Sequence, residues 1–141
     1  MNEWSPGLRS ACVDIEQMAR EWGLDFHEVR FQTVNHRQMN ELAAYGGFPV
    51  RYPHWRFGME YESLAKGHRY GMSRIYELVT NTDPSVAYLQ TSNSETEQKL
   101  VVGHVFAHAD FFKNNLWLAR ADKDMARTLV TNAFAVRRAY D

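Results

Sequence analysis

Near the N-terminus apolar side chains recur at helical spacing, with Leu8, Cys12, Ile15, Met18, Ala19 and Trp22 sharing one face. Ser5 stands before them with a hydroxyl suited to capping free amides, and Pro6 falls in the first turn, where a missing amide costs nothing. Gly23 ends this helix. From Glu28 to Val34 the period changes to two. Val29, Phe31 and Thr33 lie on one side, and Glu28, Arg30 and Gln32 on the other, which predicts a half-buried strand. A short helix follows over Arg37 to Tyr45, closed by Gly46 and Gly47, since glycine takes the left-handed conformation without steric penalty.

Pro49 and Pro53 bracket an aromatic passage, and Pro53 opens a helix carrying Phe57, Tyr61, Leu64 and Ala65 that Gly67 closes. Between Tyr70 and Thr80, Met72, Ile75, Tyr76 and Val79 fit a helical period, whereas the β-branched and aromatic content fits a strand. The turn-forming group Asn81, Thr82, Asp83, Pro84 before the apolar run Val86 to Leu89 favours a β-hairpin. Ser94 and Glu97 have capping-box spacing and start a helix that runs to about Lys113. Asn114 and Asn115 are expected to close it in the left-handed conformation. A last helix covers roughly Asp122 to Tyr140, with Met125, Leu129, Ala133, Val136 and Tyr140 in line.

These elements predict an α+β fold: one mainly helical domain over residues 1–141, with a small antiparallel sheet of about three strands and a histidine-bearing core helix. The final apolar line meets no polar tail or helix stop, so the chain reads as part of something longer.

Composition narrows the function. Apolar residues make up 45% of the chain, enough for a packed core and too many for a disordered segment. A formal charge of -1 supplies no electrostatic footprint for nucleic acid or an anionic membrane. The single cysteine, Cys12, has no internal disulfide partner and sits among helical apolar positions, so it reads as a small buried side chain. With no secretory signal and no apolar run long enough to span a bilayer, the expected location is the cytoplasm.

The chemistry concentrates in KLVVGHVFAHADFFKNN. There His104 and His108 are four residues apart, one above the other on a helix, at metal-ligand spacing. Leu100, Val101, Val105, Phe111 and Phe112 surround them in sequence, which predicts imidazoles facing the core. Buried neutral rings need hydrogen-bond partners or a metal, zinc or another divalent cation. Two core histidines satisfied by carboxylates or carbonyls would account for the pattern as well. A zinc site needs at least one more ligand, for which Glu60, Glu62, His54, Asp110 and Glu97 are available. Glu97 has its capping role as a structural explanation, and Asp110 suits the orienting of a histidine. Zinc peptidases place a glutamate base directly after the first histidine, whereas Val105 stands here and accepts no proton. The segment RYPHWRFGMEYE also mixes arginine, histidine, aromatics and glutamates in a way that suits a polar pocket. Mutual pairing of Arg51, Arg56, Glu60 and Glu62, with Tyr52, Trp55 and Phe57 in the core, explains it equally well. His27, His36 and His68 lack partner spacing and read as surface residues. No phosphate-binding glycine loop, nucleophile elbow, paired-cysteine site or calcium loop is present.

The strings MNELAAYGGFPVRYPHWRFGMEYE, YGMSRIYELVTNTDP, AYL, SN and QKLVVGHVFAHADFFKNN together closely resemble the SpoVR family, the stage V sporulation protein R group. The likeness begins at about AREWGLDF and weakens after Asn115. It implies a cytoplasmic bacterial protein linked to spore cortex formation and, outside spore formers, to stationary-phase or stress physiology. Protein partners are implied too, within a PrkA-type kinase system. The resemblance implies no reaction and carries over no catalytic residues. Two departures stand out: family members run to several hundred residues, and Ala107 occupies a position where glycine is expected before the second histidine. Three functions are therefore expected to compete. The first is a sporulation or stress factor with a metal at His104 and His108. The second is a metal-dependent hydrolase of zincin-like layout with Glu60 or Glu62 as base, and the third is a metal-free interaction scaffold.

Overall fold

The computed structural model describes residues 4–48, 51, 54–69 and 77–140, the side chains of His68 and Tyr140 excepted. Its elements in chain order are α1 (Pro6–Glu21), β1 (Val29–Val34), α2 (His36–Ala44), α3 (Trp55–Arg69), β2 (Glu77–Val79), β3 (Ser85–Gln90), α4 (Glu95–Asn114), a single 3-10 turn (Leu118–Arg120) and α5 (Met125–Tyr140). Local chemistry explains most boundaries. The Ser5 hydroxyl accepts the Leu8 amide and starts α1. Asn35 and Gln38 form a reciprocal capping box at α2, a signature as local as the one at α4 and overlooked in the sequence. Gly46 and Gly47 adopt φ of 70° and 89°, and their amides return to Ala43 and Leu42 carbonyls to close α2.

The sheet has the order β1-β3-β2. β2 and β3 form the expected antiparallel hairpin, pairing Glu77 with Leu89 and Val79 with Ala87. β1 joins the other edge of β3 in parallel, from Val29 opposite Ser85 to Val34 opposite Gln90, so the sheet is mixed rather than antiparallel throughout. The reason lies in the connection: α2, α3 and β2 intervene between β1 and β3, a crossover long enough to return the chain in the same direction. β3 is thus the central strand, and five of its six residues are buried.

Helices cover both faces. Phe26, Leu89, Val102, Phe106 and Ala109 form a core to which α1 adds Cys12, Ile15 and Ala19 and β1 adds Val29 and Phe31. Phe106 stacks on Phe26 at 4.9 Å and meets Phe31 edge-on at 5.5 Å. On the opposite face Val34, Met39 and Tyr88 pack with Leu42, Leu78 and Val86, bringing α2 against the sheet.

Several expectations change. Met18 and Trp22 are 50% and 80% exposed, because the contact of α1 with α4 is narrower than its apolar stripe. Trp55 is exposed and not core. α3 continues through Gly67 to Arg69, and α5 starts at Met125 after Asp122 has engaged the Asp124 amide and the Thr128 hydroxyl. Asn115 ends α4 with extended backbone, not left-handed, and its side chain accepts the Trp117 and Leu118 amides. Asn114 stays helical and donates to the Asp25 and Asp110 carbonyls. The expectations placed on Pro49, Tyr52, Pro53 and residues 70–76 lie outside the described residues. No helix among the described residues is long and apolar enough to cross a membrane.

Candidate metal centre

α4 buries Val102, Val105, Phe106 and Ala109, and this rotation leaves His104 and His108 together on a flank of the helix. Their rings lie edge to face with centroids 4.4 Å apart. A third group comes from the sheet. Residues directly opposite in an antiparallel pair share a face, and Glu77 lies opposite Leu89, which packs on Val102 and Phe106. The Glu77 side chain therefore projects towards α4 from the sheet edge. Its Oε1 lies 3.0 Å from His104 Nε2 and 3.6 Å from His108 Nε2.

The expectation of a water-poor setting is not met. The side chains of His104 and His108 are 60% and 39% exposed, against 19% for Glu77. Leu100 and Phe111 are exposed as well and do not wall the pair in. The physical reason is topological: the histidine flank of α4 meets the edge strand β2, whereas Val102 and Phe106 meet the central strand. Phe112 gives His108 one ring contact, nearly parallel at 5.9 Å.

Burial raises the Glu77 carboxyl above its ordinary value, and the charge of His104 partly opposes that rise. Burial also lowers His108, with His104 adding to the effect. Both shifts favour uncharged forms, and a neutral imidazole has a lone pair to donate. Glu77, His104 and His108 each place one ligand atom within 4.8 Å of the others, the one such group of three among the described residues. Ligand bonds of about 2.0–2.1 Å in a tetrahedral site put donor atoms about 3.3 Å apart, close to the spacing seen here. Two imidazoles and one carboxylate form a known ligand set for zinc and other divalent metals.

The family described as SpoVR like protein matches residues 4–141 of the chain. The chain belongs to the SpoVR family. A further similar SpoVR-family protein is YcgB of Escherichia coli (strain K12), described as uncharacterized, at 34% identity over 116 residues. That alignment covers 80% of this chain and 23% of YcgB, so the chain spans less than a quarter of that relative. No solved structure matches this chain.

In this SpoVR chain the other candidate ligands lie away from this trio. Asp110 Oδ1 accepts the Asp25 amide at 2.8 Å and Asn114 Nδ2 at 3.0 Å, fastening the loop before β1 to α4. Glu97 Oε2 accepts the Ser94 amide as the capping box requires. His54 Nδ1 accepts the Arg56 amide at the start of α3, and its ring stacks on Trp55. Glu62 lies 3.8 Å from Lys66, while Glu60 lines a cavity with Arg51 and Arg56 and forms no ion pair with either. The expected mutual pairing of Arg51, Arg56, Glu60 and Glu62 is therefore absent. His27 lies 3.5 Å from Asp83, and the His68 side chain is outside the described residues.

Sequence reasoning missed Glu77 because no local spacing ties it to His104 and His108, which lie 27 and 31 positions further along the chain. Its signal was the hairpin itself: pairing across the Asn81 to Pro84 turn puts a carboxylate on the face that receives α4. That inference needs the strand register, which the turn residues alone do not set.

Proposed function

We propose that this chain contributes a divalent-metal site to a cytoplasmic SpoVR-family protein that acts, with protein partners, in sporulation or in stationary-phase and stress physiology. The observation that carries the metal reading is the convergence of Glu77 Oε1 on both imidazole Nε2 atoms. Family membership supports the process, and in this reading a PrkA-type kinase system supplies the partners. His104, His108 and Glu77 hold the cation, with zinc the leading choice for two nitrogens and one oxygen.

The decisive experiment is metal analysis of protein purified without added ions, repeated on His104→Ala, His108→Ala and Glu77→Ala. The expected result is about one equivalent of metal in the unmutated chain and a loss in each variant. Absence of stoichiometric metal from the unmutated protein would leave the metal-free scaffold as the remaining reading.

Metal-assisted hydrolysis is the second reading, and one observation favours it: the three convergent groups lie on an exposed flank, where a cation held by three protein ligands would keep a coordination position for water. Val105 still occupies the place of the usual peptidase base, and it is fully buried. Glu60 and Glu62, the alternative bases, are not among the three convergent groups.

A further inference from the structure

A second concavity, formed by the end of α2, the start of α3 and Arg51, is separate from the metal ligands. Its volume is about 520 Å³, within the range that admits a small molecule. The walls carry Arg51, His54, Arg56 and Glu60, with Ala43, Ala44 and Phe57 as apolar ground. An adjoining hollow of about 380 Å³ shares Arg51, His54 and Phe57 and adds Arg137 from α5.

Three features make this more than an irregular surface. First, Arg51 is held in place. Its Nε donates to the Tyr45 carbonyl at 2.8 Å, and the guanidinium lies 5.4 Å from the Phe48 ring and 5.8 Å from the Phe57 ring. Gly46 permits this approach, since a Cβ there would come within 3.1 Å of Arg51 Nη2. Second, one donor of the planar fork is committed to Tyr45, so the Nη groups remain for a ligand. Third, no carboxylate pairs with Arg51, Arg56 or Arg137 among the described residues, although Glu60 and Glu41 line the same hollows. Glu41 lies instead 3.4 Å from Arg37. Arg51 and Arg56 line one concavity, with Arg137 in the adjoining hollow, and an anion bound between the first two would offset their like charge with charge-assisted, bidentate hydrogen bonds.

We infer that this concavity binds a small oxyanion-bearing molecule, a phosphate or carboxylate compound, with Arg51 and Arg56 as its ligands and Glu60 accepting a hydrogen bond from a donor elsewhere on the same molecule. The site stands independently of the metal reading. It also gives a function to a sequence segment that the metal centre leaves unused.

Titration calorimetry at constant ionic strength, with chloride as the reference anion, tests it using pyrophosphate and citrate as separate probes. Saturable one-to-one binding of either probe, weakened at least tenfold by Arg56→Gln and restored in part by Arg56→Lys, supports the site. The better of the two probes then identifies the source as phosphate or carboxylate. Arg56 is exposed and makes no side-chain bond among the described residues, so its variants should fold, and circular dichroism checks this. Failure of both probes to bind, or binding that is equal in Arg56→Gln, overturns the inference. His104→Ala should leave anion binding unchanged, and dependence on that residue would also overturn it.

Discussion

In the proposed metal site Glu77 would act by charge and position together, and the two can be separated. Replacing it with glutamine preserves the shape but removes the anionic donor that complements two neutral imidazoles. Glu77→Gln is therefore expected to weaken zinc affinity at least tenfold, about 1.4 kcal/mol, in competition with a chromophoric chelator. Glu60→Gln and Glu62→Gln should leave it unchanged, and equal losses in all three would remove Glu77 from the ligand set. At Cys12 the relevant effect is desolvation. Burial, and then the charge of Glu16, push its thiol up to about 11. The reactive thiolate is suppressed below that value and grows as pH rises towards it. Iodoacetamide labelling at pH 8 should run roughly a hundredfold slower than for a free cysteine and accelerate at pH 10, as followed by mass spectrometry. Labelling at the rate of a model thiol would show that the packing of α1 on α4 is looser than described. Both residues show why single positions are hard to read from sequence: the type of a side chain is given, but its surroundings are not.

Among the elements, α4 shows how local and tertiary forces divide the work. Its start is set by Ser94 and Glu97, each satisfying the other's amide, with Glu95 and Glu97 also favourable towards the helix dipole. Its anchoring comes from Val102, Val105, Phe106 and Ala109 against the sheet. Ser94→Ala should cost about 1 kcal/mol in urea unfolding while leaving metal affinity within error, because the histidines sit two to four turns further along a helix held by its core. A large loss of metal affinity would mean that the whole helix had moved. The capping box was legible because its partners are three residues apart. The parallel pairing of β1 with β3 was not, because it depends on how α2 and α3 turn the chain between strands more than fifty residues apart in sequence. The reading of β2 succeeded only as far as a strand joined by a turn to the next; its register decides which side chains meet α4.

At the scale of the molecule, the proposed metal ligands Glu77, His104 and His108 lie on two elements, β2 and α4. β2 is three residues long, lies at the sheet edge and is paired on one side only. A cation held by Glu77 and the two histidines would tie that edge to α4, which is anchored by Val102, Val105, Phe106 and Ala109. Binding to the folded state alone adds stability by mass action, about 2.7 kcal/mol at a hundredfold excess over Kd. Zinc is thus expected to raise the thermal midpoint by several degrees, a chelator to reverse the rise, and His104→Ala to abolish it. An equal rise in that variant would assign the effect to adventitious binding elsewhere.

Helix positions, capping residues, the glycine closure of α2, the hairpin and the pairing of His104 with His108 were all determined by the sequence itself, since each arises from interactions across a turn or two of chain. Family membership was legible for a different reason: unusual strings such as VRYPHWRFGMEYE are read directly from the primary order. Only the tertiary structure decided that β1 enters parallel, that the imidazoles lie on an open flank rather than in the core, and that Glu77, not any of the five nominated side chains, completes the trio. Those outcomes depend on which face of a strand meets which flank of a helix. A contact of that kind joins residues 27 and 31 positions apart, and the free energy that selects it comes from burying Leu89, Val102 and Phe106 together rather than from the ligands.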